Sequence, residues 1–468
     1  MPSPSRGPAV PSDRSSDRSS DRPAERSPGR GRQRPERRRD ERATRQSPRV
    51  NPRPEVEVEL ELEVGPVAHG GHCVARHDGR VVFVRHTLPG ERVRARVTEG
   101  GDDAKFWRAD AIEVLEASPD RVPSVWPEAG PGGVGGGELA HVALPAQRRW
   151  KRDVLAEQLR RLARVDLDEA HPQVEVEGLP GDDERGGLGY RTRVDLVADG
   201  TGRAGMHRFR SHDVLALDAM PLGSEDVAAL AEREKVFTRP WRRGTRIELV
   251  APVGSAPVLL VDGEPWRAGS LDRRPNARRS VTERVAVGGR EHEYRVAADG
   301  FWQVHREAPA VLSRAVLDGL GDVDGARVLD LYSGAGLFTA PLAAAVGPTG
   351  SVVAVEGDER AVRDARRNAH GLDHVELHHG TVEGVLAADS SGADVVVLDP
   401  PRVGAGRAVV DAVAARRPAR VVYVACDPAA LARDVSYLAG HGYALDSLRA
   451  FDLFPMTHHL EAVAVLTR

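Results

Sequence analysis

The stretch Leu329–Ala343, LDLYSGAGLFTAPLA, decides the predicted fold. A short apolar run ends at Tyr332, and Gly334-Ala335-Gly336 separates it from a second, helical run. Glycines in a strand-to-helix turn let a ligand approach the backbone, and the helix N-terminus favours a carboxylate or phosphate. The pattern therefore predicts a binding turn at the carboxyl end of a buried strand.

An acidic residue follows this turn at a characteristic distance. Glu356 ends the next predicted strand, Ser351–Gly357, twenty residues beyond Gly336. A carboxylate there can bind ribose hydroxyls, so the ligand is predicted to contain adenosine. Thr339 holds the place of the third glycine of the dinucleotide fingerprint, which favours S-adenosylmethionine over NAD.

Apolar runs alternate with helical segments from residue 299 to residue 468, which predicts a doubly wound parallel sheet of Rossmann type. Ligands of such sheets bind at the carboxyl ends of the strands. The predicted strands other than Ser351–Gly357 are Arg327–Tyr332, Ala393–Pro401, Arg420–Cys426 and Glu461–Arg468.

Three other regions precede this domain. Residues 1–53 hold fifteen Arg against seven Asp and Glu, with few large apolar groups, and are predicted to be a disordered tail. Strict alternation in Val56–Val64 and a hairpin signal at Asp78-Gly79 predict a small β-barrel of the OB type over residues 54–118. Residues 119–298 mix strands with one long helix near 144–165, so an α+β domain is predicted.

Composition excludes several classes of protein. No window approaches eighteen apolar residues, so a membrane helix is not expected, and the N-terminus has no apolar run typical of secretion. Two cysteines, Cys73 and Cys426, cannot form a disulfide framework. A cytoplasmic location and a monomer are the simplest expectations, with Cys73 a structural residue of the barrel.

Cys426, in VVYVACDPAAL, is either a core residue or a nucleophile. An isolated cysteine in an apolar strand is usually buried packing. Cys426 instead ends a predicted strand just before a helix, whose first turn is expected to lower the pKa of the thiol. Asp399, in VVVLDPPRVG, and Glu461, which starts the last strand, add two carboxylates to the same sheet. Asp-Pro-Pro alone is also an ordinary strand-ending turn.

Six segments together resemble the bacterial RNA (uracil-5-)-methyltransferase family. These are FWQVH, DLYSGAG, VEGDERAVRDARRNA, LDPPRVG, VYVACDPAALARD and DLFPMTHHLEAVAVL, in the order and spacing of the family. The N-terminal barrel resembles the TRAM domain of its ribosomal-RNA members. The likeness covers roughly residues 56–468.

The resemblance implies a role for each matched position. Cys426 would be the nucleophile that adds to uracil C6, and Glu461 the base that removes the C5 proton. Phe301 would be a base-positioning aromatic or a core residue, and Gln303 or Asp399 would bind the uracil edge. The implied contacts to S-adenosylmethionine are Gln303, Tyr332, Gly334, Gly336, Leu337, Glu356, Thr381 and Asp399.

The implied substrate is structured RNA, with 23S ribosomal RNA favoured over transfer RNA by the TRAM-like barrel. Two other readings stay open. Methylation of an exocyclic amine of a base would use Asp399-Pro400-Pro401 and leave Cys426 without a role. A non-catalytic RNA-binding relict would bind RNA without turning over the cofactor.

The chain departs from its family at an iron–sulfur cluster. Many ribosomal members bind one through four cysteines, three of them in a loop that corresponds to WPEAGPGGVGGG here. Trp126, Val134 and Gly137 stand at those three places, and Met220 stands at the fourth. None supplies a thiolate, so no cluster and no other metal are expected.

Overall fold

The computed structural model describes residues 58–101 and 103–468. The tail predicted to be disordered, residues 1–53, lies outside the described residues, as does the start of the strand predicted at Val56. Among the described residues no helix combines the length and the apolar character that crossing a membrane requires.

The N-terminal barrel is a six-stranded sheet in the order β1-β5-β6-β4-β3-β2. Alternation confirms the predicted half-buried strand, since Leu60 and Leu62 point inward while the glutamates between them are exposed. The hairpin at Asp78-Gly79 is also confirmed, with both residues at positive φ, 48° and 79°. Its strands are β1 Glu59–Glu63, β2 Val67–Ala68, β3 His72–His77, β4 Arg80–Arg85, β5 Arg92–Glu99 and β6 Phe106–Glu116.

The central stretch begins with a short 3-10 turn, Pro127–Ala129, and a long helix. That helix, α1 Leu144–Gln158, is continued by a π turn at Leu159–Ala163, close to the predicted 144–165. The elements that follow are α2 Leu167–Ala170, β7 Val176–Glu177, β8 Arg193–Ala198, β9 Ala204–His207, β10 Val214–Ala216, α3 Glu225–Arg233, β11 Arg246–Val250, β12 Val258–Val261, β13 Glu264–Arg267, β14 Ser270–Leu271, β15 Ser280–Val287 and β16 Arg290–Ala297.

Strands β8 to β14 form one antiparallel sheet in the order β10-β9-β8-β11-β12-β13-β14, and β15 pairs with β16. Helix α1 and strand β7 do not pack on these sheets. Leu155 and Leu159 join the core under the C-terminal sheet, and β7 extends that sheet at its edge. Residues of the stretch 119–298 also pack in the barrel core and on the other face of the C-terminal sheet, so the stretch contributes to the cores of all three folded regions, and the domain boundaries stay predictions.

The C-terminal sheet has eight strands in the order β19-β18-β17-β20-β21-β23-β22-β7. Helices cover both of its faces, as a doubly wound fold requires. Its elements are α4 Ala308–Leu320, β17 Arg327–Leu331, α5 Thr339–Val346, β18 Ser351–Glu356, α6 Glu359–Asn368, β19 Val375–His379, α7 Val382–Ala388, β20 Val395–Leu398, α8 Gly406–Ala415, β21 Arg420–Ala425, α9 Pro428–Ala439, β22 Ala444–Phe451 and β23 Glu461–Thr467.

The prediction that this sheet is parallel throughout is wrong at its last strand. Strands β17 to β21 are parallel, but β23 is antiparallel to β21. The physical reason is β22, which the sequence reasoning did not identify. Helix α9 crosses over to β22, and the chain then returns as β23 between β22 and β21. A strand entered by such a reversal must run against its neighbours.

Candidate active site

Cys426 lies at the carboxyl edge of the C-terminal sheet. It follows β21, whose residues Val421 to Ala425 are all buried, and is itself half-buried. Asp427 then caps α9 by accepting a hydrogen bond from the amide of Ala430 at 2.8 Å. The thiol therefore faces the rim where ligands of such sheets bind, whereas Cys73 is fully buried in the barrel core.

Glu461 lies directly across from Cys426 because β23 is antiparallel to β21. The register pairs Ala425 with Ala462, so the residue after one faces the residue before the other. Glu461 is only 4 % exposed. The first residue of a parallel strand would instead lie at the opposite edge of the sheet.

The glycine turn after β17 has the conformation that a cofactor site requires. Tyr332 and Gly334 have positive φ, 66° and 57°. The Glu356 carboxylate accepts hydrogen bonds from the amides of Gly334, at 2.9 Å, and Asp358, at 2.7 Å. The Ser333 hydroxyl is buried without a protein partner in the same turn. An orphaned polar atom beside this turn fits a bound polar ligand.

One cleft of about 1720 Å³ collects the predicted residues. Both catalytic candidates, Cys426 and Glu461, line it. So do seven of the eight predicted cofactor contacts: Gln303, Tyr332, Gly334, Leu337, Glu356, Thr381 and Asp399. Gly336 does not line the cleft; its amide closes the turn by donating to the carbonyl of Ser333 at 2.9 Å.

Three more cleft residues clarify the site. Phe301 is 77 % exposed at the cleft, so its interpretation as a core residue is wrong. Ser333 and Arg402 also line the cleft but were not among the predicted site residues. Both stand inside motifs that signalled the site, DLYSGAG and LDPPRVG, and only the three-dimensional contacts distinguish them there.

Buried acids crowd together at the cleft. Asp399 and Glu461 line it, and Asp330 on β17 lies behind the lining but close enough to act on Asp399; we call these three acids the floor. Burial, followed by the charges of Asp330 and Glu356, raises the pKa of Asp399 to about 7. Burial raises the pKa of Asp330 to about 7 as well, although a hydrogen bond from Thr339 opposes the shift. The pKa of Glu461 lies well above its ordinary value because of burial and the nearby Asp399. Asp399 and Asp330 therefore exchange protons near neutral pH.

The prediction that α9 lowers the pKa of the Cys426 thiol is wrong for the ligand-free chain. Burial raises it to about 12, and the charges of Glu461 and Asp399 add to the effect, while Arg402 opposes it. The capping carboxylate of Asp427 also raises it. Burial is the main reason that the expected activation is absent, and the Asp427 carboxylate at the start of the helix adds a smaller effect of the same sign.

The barrel reaches the same rim. His69 Nε2 lies 3.1 Å from the Asp427 carboxylate, next to Cys426. A small cavity of about 210 Å³ lies between them, and His69, Cys426 and His458 are among its lining residues. A surface on the barrel is thereby connected to the catalytic edge of the sheet.

One outer surface of the barrel combines aromatic rings with guanidinium groups. Phe83 and Phe106 pack edge to face at 5.4 Å, and Arg108 lies over both rings, at 5.8 Å and 5.3 Å from their centroids. Arg85 lies 3.7 Å over Phe209 from the central stretch. Arg85 itself is buried and bound to Asp110, so we call the other five residues, Phe83, Phe106, Arg108, Phe209 and Arg210, the aromatic–arginine surface. Rings and guanidinium groups of this kind suit unpaired nucleotides.

The surface of β1, β5 and the far end of β6 is different. Its charges alternate in cross-strand pairs that neutralise one another. Arg96 binds Glu59 at 3.0 Å, Arg92 binds Glu116 at 2.9 Å, and Arg94 pairs with Glu113. We call this set the ion-pair ladder, and it offers little net charge to phosphates.

The four cluster positions do not fit an iron–sulfur cluster. Trp126, Val134 and Met220 pack in one apolar core. A Cβ on Gly137 would come within 2.6 Å of the indole of Trp126, so that ring fills the space of a fourth side chain. With no thiolate at any of the four positions, the site is apolar packing.

Family models match three regions of the chain. Residues 381–468 match tRNA (Uracil-5-)-methyltransferase, residues 55–110 match the TRAM domain, and residues 328–400 match a methyltransferase domain. The second and third matches contain the barrel and the cofactor turn, and the first contains both Cys426 and Glu461.

Similar proteins extend the likeness to most of the chain. An uncharacterized RNA methyltransferase of Bifidobacterium longum is 43% identical over 423 residues, which cover 85% of this chain and 94% of that protein. One of Streptomyces coelicolor is 44% identical over 427 residues, 86% of this chain and 92% of that protein.

Among solved structures, the Pyrococcus abyssi tRNA (uracil-54, C5)-methyltransferase in complex with S-adenosyl-L-homocysteine has a TM-score of 0.62. It is 22% identical, and the match covers 87% of this chain and 100% of that chain. This likeness shows a shared fold. The family models and the two relatives show that the chain belongs to the S-adenosylmethionine-dependent RNA methyltransferases of the uracil-5 family.

Proposed function

We propose that this enzyme methylates C5 of a uridine in 23S ribosomal RNA through a covalent adduct between Cys426 and uracil C6. One observation carries the proposal. A half-buried thiol and a buried carboxyl face each other across β21 and β23, at the rim of the cleft that holds the cofactor turn. Methylation of an amine or an oxygen would not require this pair.

Cys426 supplies what the reaction lacks. Uracil C5 is too weak a nucleophile to attack a methyl sulfonium unaided, and a thiolate bonded to C6 makes C5 an enolate carbon. Because burial and two carboxylates hold the free thiol in its protonated form, it must lose its proton as the substrate enters. Arg402 is the cation beside it that favours the thiolate.

Glu461 completes the cycle. After C5 has gained its methyl group, it still carries a proton that must leave before the C6–S bond can break and restore the double bond. A carboxylate with a raised pKa is a better acceptor for that proton than an ordinary one. Burial and Asp399 provide the shift. Elimination releases Cys426 as a thiolate, which takes back from solvent the proton that the thiol gave up to solvent before it attacked, while Glu461 passes the C5 proton to solvent.

S-adenosylmethionine supplies the transferred methyl group from its sulfonium. Glu356, at the end of β18, would bind the ribose of the cofactor. The open turn at Gly334 and Ser333 would bind other polar groups of the cofactor. Gln303, Tyr332, Leu337 and Thr381 would complete that site. Asp399 and Gln303 can also hydrogen-bond the edge of the uracil, since both line the cleft near Cys426.

The base must leave the RNA stack to reach Cys426, which costs a few kcal/mol. Exposed Phe301 at the cleft can stack on the extruded base. The aromatic–arginine surface can hold neighbouring unpaired nucleotides, and the His69–Asp427 contact links the barrel to the thiol. These features support RNA as the substrate.

The experiment uses the protein with Glu461→Gln, RNA and S-adenosylmethionine. We expect a methylated covalent RNA adduct that survives a denaturing gel, because the C5 proton cannot be removed. The matched control adds Cys426→Ala to that variant and should abolish the adduct. Mass spectrometry of wild-type product should find 5-methyluridine. No adduct, together with methyl on an exocyclic amine, would disprove the proposal.

Transfer RNA is the second candidate substrate. The Pyrococcus abyssi enzyme, described as acting on uracil-54 of tRNA, shares the fold over 87% of this chain. Because the match extends over most of the described chain, the barrel by itself is a weak reason to prefer ribosomal RNA over transfer RNA. Incubating the enzyme with separated ribosomal and transfer RNA from cells that lack the gene compares them. Incorporation confined to transfer RNA would replace our first choice.

A further inference from the structure

The loop Asp452–Leu460, which precedes β23 and carries Glu461 at its end, is held by the central stretch. We call it the base loop. Met456 has positive φ, 70°, although it is not glycine. Its amide donates to the side chain of Gln147 at 2.7 Å, and its carbonyl accepts from the amide of Leu139 at 2.9 Å. Strain of this kind persists only where the surroundings impose it.

Other contacts add to the hold. The buried ammonium of Lys151 pairs with the buried Asp452 carboxylate and donates to the carbonyl of Phe454 at 3.1 Å. The hydroxyl of Tyr190, also buried, donates to the carbonyl of Pro455 at 3.1 Å. The base loop is thus fixed along its whole length by residues distant in sequence.

Glu138 makes the last of these contacts, and it is the one nearest the chemistry. Its carboxylate accepts a hydrogen bond from the amide of His458 at 3.2 Å and pairs with Nδ1 of the same residue. These bonds outweigh burial and hold the pKa of Glu138 well below its usual value. Glu138 directly follows Gly137, one of the four places where cluster-binding relatives have cysteine.

The contact continues toward the nucleophile. The rings of His458 and His459 lie 4.1 Å apart, and His459 Nε2 is 3.3 Å from a guanidinium nitrogen of Arg402. Burial lowers the pKa of His459 to about 3, so the ring is neutral and can accept that hydrogen bond. Arg402 is in turn the cation whose charge lowers the pKa of both Cys426 and Glu461 against burial.

We propose that Glu138 is a positioning residue, which through His458 and His459 holds Arg402 beside Cys426 and Glu461. The proposal rests on the proposed function for its catalytic consequence. Glu138, His458 and His459 have donor atoms within 4.8 Å of one another, as in some metal sites. One oxygen of the Glu138 carboxylate already accepts both hydrogen bonds from His458, which favours a positioning network over a metal centre.

The test measures alkylation of Cys426 by iodoacetamide in the absence of RNA, together with kcat and KM for RNA. Cys73 is fully buried, so alkylation reports the thiolate of Cys426. With Glu138→Ala we expect alkylation and kcat to fall about tenfold, with KM for RNA within about twofold, because one unit of thiol pKa is a factor of ten. Arg402→Ala should slow alkylation at least as much.

Two variants separate positioning from mere stability. Glu138→Gln keeps an oxygen that can accept from the amide of His458, and it should restore alkylation to within about threefold of wild type. Glu128→Ala, an exposed glutamate of the same loop, should behave as wild type. If Glu138→Ala lowers only the melting temperature, or alters KM alone, the proposal is overturned.

The outcome is independent of the reaction assigned above. Alkylation needs neither RNA nor cofactor, so equal rates in wild type and Glu138→Ala would refute the positioning role even if 5-methyluridine is formed. Conversely, wild-type enzyme that makes another product would refute the proposed function while the alkylation comparison still stands. If Glu138→Ala does not fold, slowed alkylation in His458→Ala supports the proposal and an unchanged rate refutes it.

Discussion

The cleft floor and the aromatic–arginine surface both crowd like charges, and they relieve the repulsion differently. On the floor, burial and mutual repulsion raise the pKa values of Asp399 and Glu461, so these carboxyls take up a proton more readily than exposed acids do. On the barrel, burial and then the charges of Arg210 and Arg85 lower the pKa of Arg108, but a guanidinium remains charged at any working pH. Glu99 pairs with both Arg108 and Arg210, so one positive charge is left over that an external anion such as RNA phosphate can neutralise. The floor is suited to proton transfer and the surface to binding.

Replacing Cys426 should abolish methyl transfer in the cleft and leave RNA binding by the barrel intact. With Cys426→Ala we expect methyl transfer to fall about 10⁴-fold or more, because no other group in the cleft can add to C6. RNA affinity should stay within about twofold, since the aromatic–arginine surface is untouched. Filter binding and single-turnover methylation measure the two quantities.

The control for that variant is Cys73→Ala, which removes the other thiol. Cys73 is buried in the barrel core, and we expect methylation to persist. If Cys73→Ala were inactive while Cys426→Ala turned over normally, the assignment of the nucleophile would be refuted.

Removing one floor acid should change stability with pH. Asp330 has a pKa of about 7 in the folded chain against about 3.8 unfolded, so its stabilising effect is full below about pH 4 and is lost as the pH rises through 7. The free energy of unfolding of Asp330→Asn should therefore rise relative to that of wild type by up to about 4 kcal/mol between pH 4 and pH 8. Urea unfolding across this range measures the gap.

An exposed acid gives the comparison for this experiment. Asp373→Asn removes the same kind of group at the surface and controls for the loss of one negative charge, so the dependence on pH should be steeper for Asp330→Asn. A dependence no steeper for Asp330→Asn than for Asp373→Asn would contradict the crowding of acids on the floor.

Weakening the aromatic–arginine surface should reduce binding but not chemistry. Phe83→Ala is expected to weaken RNA binding about 5- to 100-fold, the range for loss of one stacked base. Arg108→Ala should lower the slope of log affinity against log salt by about one, as for one lost phosphate contact. Single-turnover rates at saturating RNA should stay close to wild type. A fall in that rate with unchanged affinity would contradict the division of roles.

The smallest effect is expected on the ion-pair ladder. Arg94→Ala removes an arginine from the same barrel, but one that has Glu113 as its partner, whereas Arg108 shares Glu99 with Arg210. RNA affinity should change by less than about twofold, and stability by less than about 1 kcal/mol. An effect as large as that of Arg108→Ala would show that net charge, not the surface, governs binding.

Much of the cofactor site could be predicted from sequence because its signals are local. Gly334, Glu356 and Asp399 each follow or end a buried strand, and parallel strands bring their carboxyl ends to one edge. The barrel was equally readable, since alternation at Glu59–Glu63 reports burial directly.

The pairing of Cys426 with Glu461 could not be derived in that way. A glutamate that starts a strand belongs to the wrong edge of a parallel sheet, and only the reversal through β22 brings it to the right one. The family resemblance identified Glu461, whereas the topology of the sheet explains why Glu461 lies opposite Cys426. Local signals failed again for the thiol, whose pKa is raised first by burial and then by the charges of Glu461 and Asp399, which the helix that follows it does not reveal.

Contacts such as that of Glu138 with His458 join residues 320 positions apart, and no sequence period reports them. Large separations in sequence also affect the synthesis of the chain. Strand β7 pairs with β22, so Glu177 is made about 270 residues before its partner Phe451. At about 5 to 20 residues per second, the ribosome needs roughly 15 to 50 s to close that gap. During this interval α1 and β7 have been synthesised but the sheet on which they pack has not. The core that they share with the C-terminal sheet therefore forms only after the end of the chain has been made.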